Sequence, residues 1–229
     1  MTSSYPHSQL ALNLEPRWTY AREDFFRGSS NQHAFQSIIE AWPRWSSRGQ
    51  ILVGPPGSGK THLASIWQGM SQAIFLNTCH CLQEIQTHIG KDTQNPVTFV
   101  LDDFPDPRFQ EQDVFHLYNL VQEHQGALLI LSQTLPQEWS LTLSDLKSRL
   151  FSLPLQTLAN PDDDVLCAVL RKYFSDFQIM VPESILSYVL PRIERSFKAA
   201  YHFAQKLNAE TLAQKKNVTL NLARMCLET

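Results

Sequence analysis

Apolar residues follow two regimes along this chain, and the change comes at Asn160-Pro161. Before it, short apolar runs alternate with stretches of helical period. The runs predict strands at 50–53, 73–76, 97–101, 127–131 and 151–155, and Pro154 confines the last to a sheet edge or shortens it. A helix is predicted over 31–42, where Ala34, Ile38, Ile39 and Trp42 recur at helical spacing until Pro43 ends the pattern. Two more fall at 61–69 and 114–124, the latter with Leu117, Leu120 and Val121 on one face. Strands alternating with helices imply an α/β unit, a parallel sheet covered on both faces. Beyond Asn160 only helical patterns remain, at 162–175, 183–190, 192–209 and 219–227, which predicts a small all-helical domain. The expected division is a mobile tail at 1–14, an α/β domain at 15–159 and a helical domain at 160–229. Trp18, Tyr20, Phe25 and Phe26 predict that the segment after the tail packs onto one of them.

Composition narrows the function classes. Of 229 residues 43% are hydrophobic, enough for a sizeable core. Only 18% are charged and the net charge is −3, which argues against binding nucleic acid by bulk electrostatics and leaves room for a local basic patch. No basic and apolar leader pattern opens the sequence, and the apolar stretch 127–131 is too short to span a bilayer, so a soluble, cytoplasmic protein is expected. The four cysteines are Cys79, Cys81, Cys167 and Cys226. Cys79-His80-Cys81, with His88 nearby, has the look of a metal fragment. Zinc takes four ligands, however, and no second cysteine pair follows at finger spacing, so bystander or buried thiols are the favoured reading.

The chemistry concentrates after the first predicted strand. Gly54, Pro55, Pro56, Gly57, Ser58, Gly59, Lys60 and Thr61 form a phosphate-binding loop, with a strand before and a helix after. Its glycines let backbone N–H groups turn inward while the new helix presents its positive end. Lys60 is expected on the outer phosphates and the Thr61 hydroxyl on Mg²⁺. The third strand ends in Asp102 and Asp103, at the carboxyl end where open α/β sheets bind ligands. Asp102 is expected to position Mg²⁺ directly or through water, and Asp103 to orient or deprotonate an attacking water. Ser132, ending the fourth strand, would bring a polar group near the γ-phosphate or merely begin a turn. Asp162, Asp163 and Asp164 read as the acidic first turn of a helix.

In this order — phosphate loop, Asp-Asp strand, polar strand end, Ser148-Arg149, helical lid — the landmarks resemble those of the AAA+ ATPases, and more closely the DnaA-related regulatory proteins of the Hda family. Phe25 to Asn31 and the lid stretch Arg192 to Phe197 carry the resemblance beyond the loop. It implies an adenine nucleotide, ATP or ADP, with Mg²⁺. Phe25 to Asn31 would lie against the base; Asn31, His62 and the lid arginine Arg195 would join the nucleotide-binding set. Taken alone, Arg149 reads as an ordinary surface arginine; the resemblance makes it an arginine finger acting in trans. In the tail, Gln9, Leu10, Leu12 and Leu14 resemble the short peptide that binds the sliding clamp of DNA polymerase, with the leucines projecting on one side of an extended chain.

The initiator DnaA shares this core but carries a helix-turn-helix DNA-binding domain and an extra helix before the Asp-Asp strand. Here the sequence stops at Thr229, and twenty residues separate Leu76 from Val97, little room for that helix. The expectation is therefore a regulator of the initiator. It would dock on DNA-loaded clamp, meeting DNA only through it, and stimulate ATP hydrolysis by DnaA; self-association and hydrolysis of its own ATP stay open. The alternatives are a helicase-loader-type ATPase acting on DNA and an adaptor in which the nucleotide is only structural.

Overall fold

The computed structural model describes residues 20–76, 97–214 and 217–228. Five strands form one sheet, β1 (Gly49–Val53), β2 (Ile74–Leu76), β3 (Thr98–Leu101), β4 (Ala127–Ser132) and β5 (Leu155–Thr157), in the order β2-β3-β4-β1-β5. Every pairing is parallel; in the central one Ile51 stands opposite Ile130 and Val53 opposite Ser132. The expected α/β architecture is therefore present, and β5 takes one edge of the sheet.

Alternation along the strands sorts their side chains into two cores. Leu52, Val100, Leu129 and Leu131 meet helix α2 (Lys60–Ser71) through Leu63, Ala64 and Trp67. The same face is covered by α1, an α-helical turn (Gln32–Phe35) that widens into a π-helical one (Gln36–Glu40), through Phe35, Ile38 and Ile39. On the other face Ile51, Val53, Phe99, Leu101, Leu128 and Ile130 meet α3 (Glu111–Glu123) through Val114, Leu117 and Val121. They also meet α4 (Ser144–Phe151) through Leu146 and Leu150. Four further helices, α5 (Asp163–Asp176), α6 (Glu183–Val189), α7 (Phe197–Gln214) and α8 (Leu220–Glu228), enclose a third core around Leu166, Leu170, Phe174, Ala204, Leu207 and Leu222. No helix among the described residues is long and apolar enough to cross a membrane.

Two boundaries depart from expectation. The stretch 151–155 is not the fifth strand: α4 runs through Phe151, and β5 begins at Leu155. Leu146 and Leu150, one helical turn apart, both reach zero exposure against the sheet, a burial that local alternation of Phe151, Leu153 and Leu155 does not reveal. Likewise α7 starts at Phe197 and not at 192, because Ser196 begins it, accepting from Ala199 N at 3.1 Å.

Candidate nucleotide-binding site

β1 delivers the loop. Gly54 N still donates to Ser132 O at 3.1 Å, so the chain leaves the sheet one residue later. Gly57 (φ +72°) and Gly59 (φ +93°) take left-handed backbone that side chains resist, and Gly59 O accepts from Leu63 N at 2.9 Å, the first bond of α2. Lys60, buried, donates its ammonium to the carbonyls of Gly54 at 2.6 Å and Pro55 at 3.0 Å, and so lies inside the curve of the loop. Burial pulls its pKa down, against the charges of Asp102 and Asp103, which hold it up. The Ser58 hydroxyl is buried there with no hydrogen-bond partner among the described residues.

Thr61 Oγ1 donates to Asp102 Oδ2 at 3.4 Å, bringing together the hydroxyl and carboxylate read as the Mg²⁺ pair. Burial raises the Asp102 pKa, the Asp103 charge adds to it, and Thr61 and Lys60 oppose. Asp103 sits in left-handed backbone (φ +64°), which aspartate tolerates, and its Oδ1 accepts from Gln133 Nε2 at 2.6 Å. Among the described residues no three His, Cys, Asp or Glu converge on one point. A divalent cation here would rest on one or two protein oxygens plus phosphate, the habit of Mg²⁺ with nucleotides. The chemistry of Thr61 and Asp102 fits that arrangement.

Other assigned residues take different parts. Ser132 is fully buried; its hydroxyl donates to Thr134 O at 2.8 Å and accepts from Trp139 Nε1 at 3.2 Å. It builds the turn after β4, and Gln133 is the polar side chain that meets Asp103. Asn31 is buried with both ends of its amide spent locally, Oδ1 accepting from Gly28 N at 3.0 Å and Nδ2 donating to Phe26 O at 2.9 Å. Through these bonds it shapes the turn from Phe26 to Asn31. The His62 Nε2 lies 3.0 Å from Ala21 O, and its ring meets Phe25 edge-on at 5.3 Å and Tyr20 at 5.5 Å. Burial lowers its pKa first of all. The charge of Asp102 bears on the Tyr20 phenol, whose pKa is raised chiefly by burial. Residues 20–25 thus run across the first turn of α2.

The lid touches the loop directly. Phe197 N donates to Gly57 O at 3.0 Å; a methyl group on Gly57 would lie 3.1 Å from Ser196 Cβ and 3.5 Å from Lys198 Cβ, and one on Gly59 would lie 3.0 Å from Phe197 Cε2. Arg195 is turned to an ion pair with Asp163 at 2.9 Å, both side chains more than half exposed, so Ser196 to Lys198 and not Arg195 stand against the loop. Asp162, the cap of α5, accepts from Val165 N (2.9 Å), Ser29 Oγ (2.9 Å) and Ser30 N (3.3 Å), fastening the segment that holds Ser29 and Ser30 to the lid. Those donors, Val165 N first, hold its carboxyl below the usual range.

Arg149 is exposed on α4, on the face of the sheet opposite α2. It donates to Asn119 Oδ1 at 2.8 Å and pairs with no carboxylate among the described residues. Gln9, Leu10, Leu12 and Leu14, expected to bind the clamp, and Cys79, His80, Cys81 and His88 lie outside the described residues. Cys167 and Cys226 are free thiols. Sequence reasoning missed Trp139, Phe115 and Tyr118, whose contacts with Ser132 and Arg149 no local pattern signals.

No protein-family model matches the chain. It is 23% identical over 236 residues to the chromosomal replication initiator protein DnaA of Lacticaseibacillus casei (strain BL23), covering 94% of this chain and 52% of that protein. It superposes on domain III of the Thermotoga maritima replication initiation protein DnaA with a TM-score of 0.73 and 20% identity, covering 91% of this chain and 95% of that one. The fold is that of an AAA+ domain. AMPPCP-bound DnaA from Aquifex aeolicus is a further structural neighbour, at a TM-score of 0.66 and 18% identity over 89% of this chain and 70% of that one. The chain spans about half the length of the curated relatives it matches.

Proposed function

We propose that this chain is an adenine-nucleotide-binding AAA+ regulator of replication initiation. In this reading it docks on the DNA polymerase sliding clamp through Gln9, Leu10, Leu12 and Leu14, and offers Arg149 to ATP held by an initiator of the DnaA type. The guanidinium neutralises charge developing on the γ-phosphate, hydrolysis is hastened, and the initiator passes to its ADP form. Support for the replication setting comes from the similarity to DnaA proteins across 94% of the chain. Support for an adenine nucleotide comes from the phosphate loop and from the structural neighbour bound to AMPPCP.

The chain's own site would hold ADP or ATP with Mg²⁺ as a switch. Lys60 would exchange the carbonyls of Gly54 and Pro55 for phosphate oxygens, and loop amides from Gly57 onward would donate to them. Thr61 and Asp102 would keep Mg²⁺, which supplies charge neutralisation when bound. Asp103, held by Gln133, stands where it could orient a water.

One observation carries the regulatory reading: Arg149 projects from the face of the sheet opposite the helix of its own loop, exposed and without a carboxylate partner among the described residues. An arginine so placed suits a second molecule's phosphate better than its own. The test is ATP hydrolysis by purified DnaA, with and without DNA-loaded clamp. The intact chain should stimulate it. Arg149→Ala should lose that stimulation by about 10³-fold, the lower end for arginine fingers, while binding nucleotide and clamp as before. Undiminished stimulation by Arg149→Ala would sink the reading.

A further inference from the structure

The backbone at Phe25 is extended (φ −88°, ψ 97°), so the side chains of Phe25 and Phe26 leave it in opposite directions. They enter different cores. Phe25 is buried in the core shared with α1 and α2, its ring stacked on Phe35 at 5.4 Å. Phe26 packs against the core of the helical lid. Two neighbouring residues, their Cα atoms about 3.8 Å apart, thus fasten one unit to the other. The residues around them extend the attachment. A methyl group on Gly28 would overlap Val165 Cγ2 and lie 2.7 Å from Asp162 Oδ2, so the backbone is pressed flush on the start of α5. Asp162 takes Ser29 Oγ and Ser30 N, and Lys172 stands 3.6 Å from Asp24. Ser30 O accepts from Ala159 N at 3.1 Å, where the chain passes from β5 to α5.

The same segment and the lid close on the phosphate loop from two sides. A methyl group on Gly59 would lie 3.0 Å from Phe197 Cε2 and 3.9 Å from Phe25 Cε2, and Phe197 N donates to Gly57 O. For the lid to swing clear of the loop, the bond to Gly57 must break and the segment must yield as well. If the segment travels with the lid, Phe25 leaves its core. If it stays, Phe26 leaves the lid core and Asp162 loses Ser29 and Ser30. Either way an aromatic ring is exposed to water, which opposes opening.

We propose that residues 24–31 form a strap that holds the lid against the phosphate loop and so sets the rate at which nucleotide enters and leaves. That the ligand is an adenine nucleotide rests on the function proposed above. Opening is the step that entry and release share. A looser strap therefore raises both rates together and leaves Kd nearly unchanged.

The test uses lid residues only. Asp162→Asn keeps the cap of α5, since asparagine caps as well as aspartate, and removes the charge that holds Ser29 Oγ and Ser30 N. Release of N-methylanthraniloyl-ADP with Mg²⁺ is followed by stopped-flow displacement in the full chain. It should quicken about tenfold, the scale of one hydrogen bond to a charged group. Lys172→Met, which removes only the longer pair to Asp24, should quicken it about twofold and decides the matter if Asp162→Asn does not fold. In the nucleotide-free protein, amide exchange should quicken at Phe197 as well as at Ser30 in Asp162→Asn. The Phe197 bond goes to Gly57 and not to Asp162, so a purely local cap would leave it protected. Two failures are distinguishable. If the parent chain binds no labelled ADP, the nucleotide reading fails and the gate with it. If the parent binds it and both variants release it at the parent's rate, only the strap is refuted.

Discussion

Asp102 shows at a single residue how the requirements of folding and of ligand binding oppose each other. Its carboxylate is partly withdrawn from water beside a second carboxylate, and its pKa is raised by burial first and by Asp103 next. A raised folded-state pKa means that the fold favours the protonated form. Its contribution to stability is therefore full below the ordinary value of 3.8 and is lost as pH rises through the raised one. Asp102→Asn should accordingly raise the melting temperature of the nucleotide-free protein at neutral pH, by a margin that widens as pH climbs from below 3.8. The same change should weaken Mg²⁺-dependent nucleotide binding. A margin that narrows with rising pH would contradict the assignment. At this scale much was legible. Lys60, Thr61, Asp102 and Asp103 converge because the motif spacing and the strand ends leave them few other places. The local hydrogen bonds of Ser132 and Asn31 were not legible, because they depend on donors such as Trp139 and Gly28 that packing brings up.

At the scale of elements, α4 matters most, since it carries Arg149. Its start hangs on Glu111, whose carboxylate is held below its usual range by the backbone N–H groups of Thr142 and Leu143. A depressed pKa contributes stability above the unfolded value of 4.5 that is lost as pH falls through the folded one. Glu111→Ala should cost about 1 kcal/mol by chemical denaturation at neutral pH, allowing for solvent screening, and almost nothing well below that range. It should also loosen α4 and reduce stimulation by Arg149. A cost that does not depend on pH would rule out the ion-mediated tether. This helix was hidden in the sequence because Phe151, Leu153 and Leu155 alternate like a strand, and only contact with Val114 and Leu117 across the chain shows which period wins. The acidic start of α5 was legible, as Asp162 is a cap by residue type; its hold on Ser29 and Ser30 was not.

For the molecule as a whole, the candidate nucleotide site lies where two units meet. Phe197 N–H bonds Gly57 O, Asp162 grips Ser29 and Ser30, and Lys172 of α5 lies 3.6 Å from Asp24. A ligand gripped by both units stabilises both. ADP with Mg²⁺ should raise the melting temperature in a concentration-dependent way, reaching about 2.7 kcal/mol of added stability at a hundredfold excess over Kd. Lys60→Ala should abolish the ligand-dependent part. Absence of any shift in the parent protein would exclude nucleotide binding. By itself, the sequence determined the alternation of strands and helices, the phosphate loop, the two carboxylates and the passage to a helical lid. Those follow from periodicity, glycine's backbone freedom and residue chemistry, all of which act over a few neighbouring positions. Tertiary structure alone decided that Ser196 to Lys198 lie against the loop while Arg195 turns to Asp163, and that Arg149 rests on Phe115, Tyr118 and Asn119. Such choices depend on which distant side chains arrive within hydrogen-bonding or van der Waals range, and packing sets that only once every element is in place.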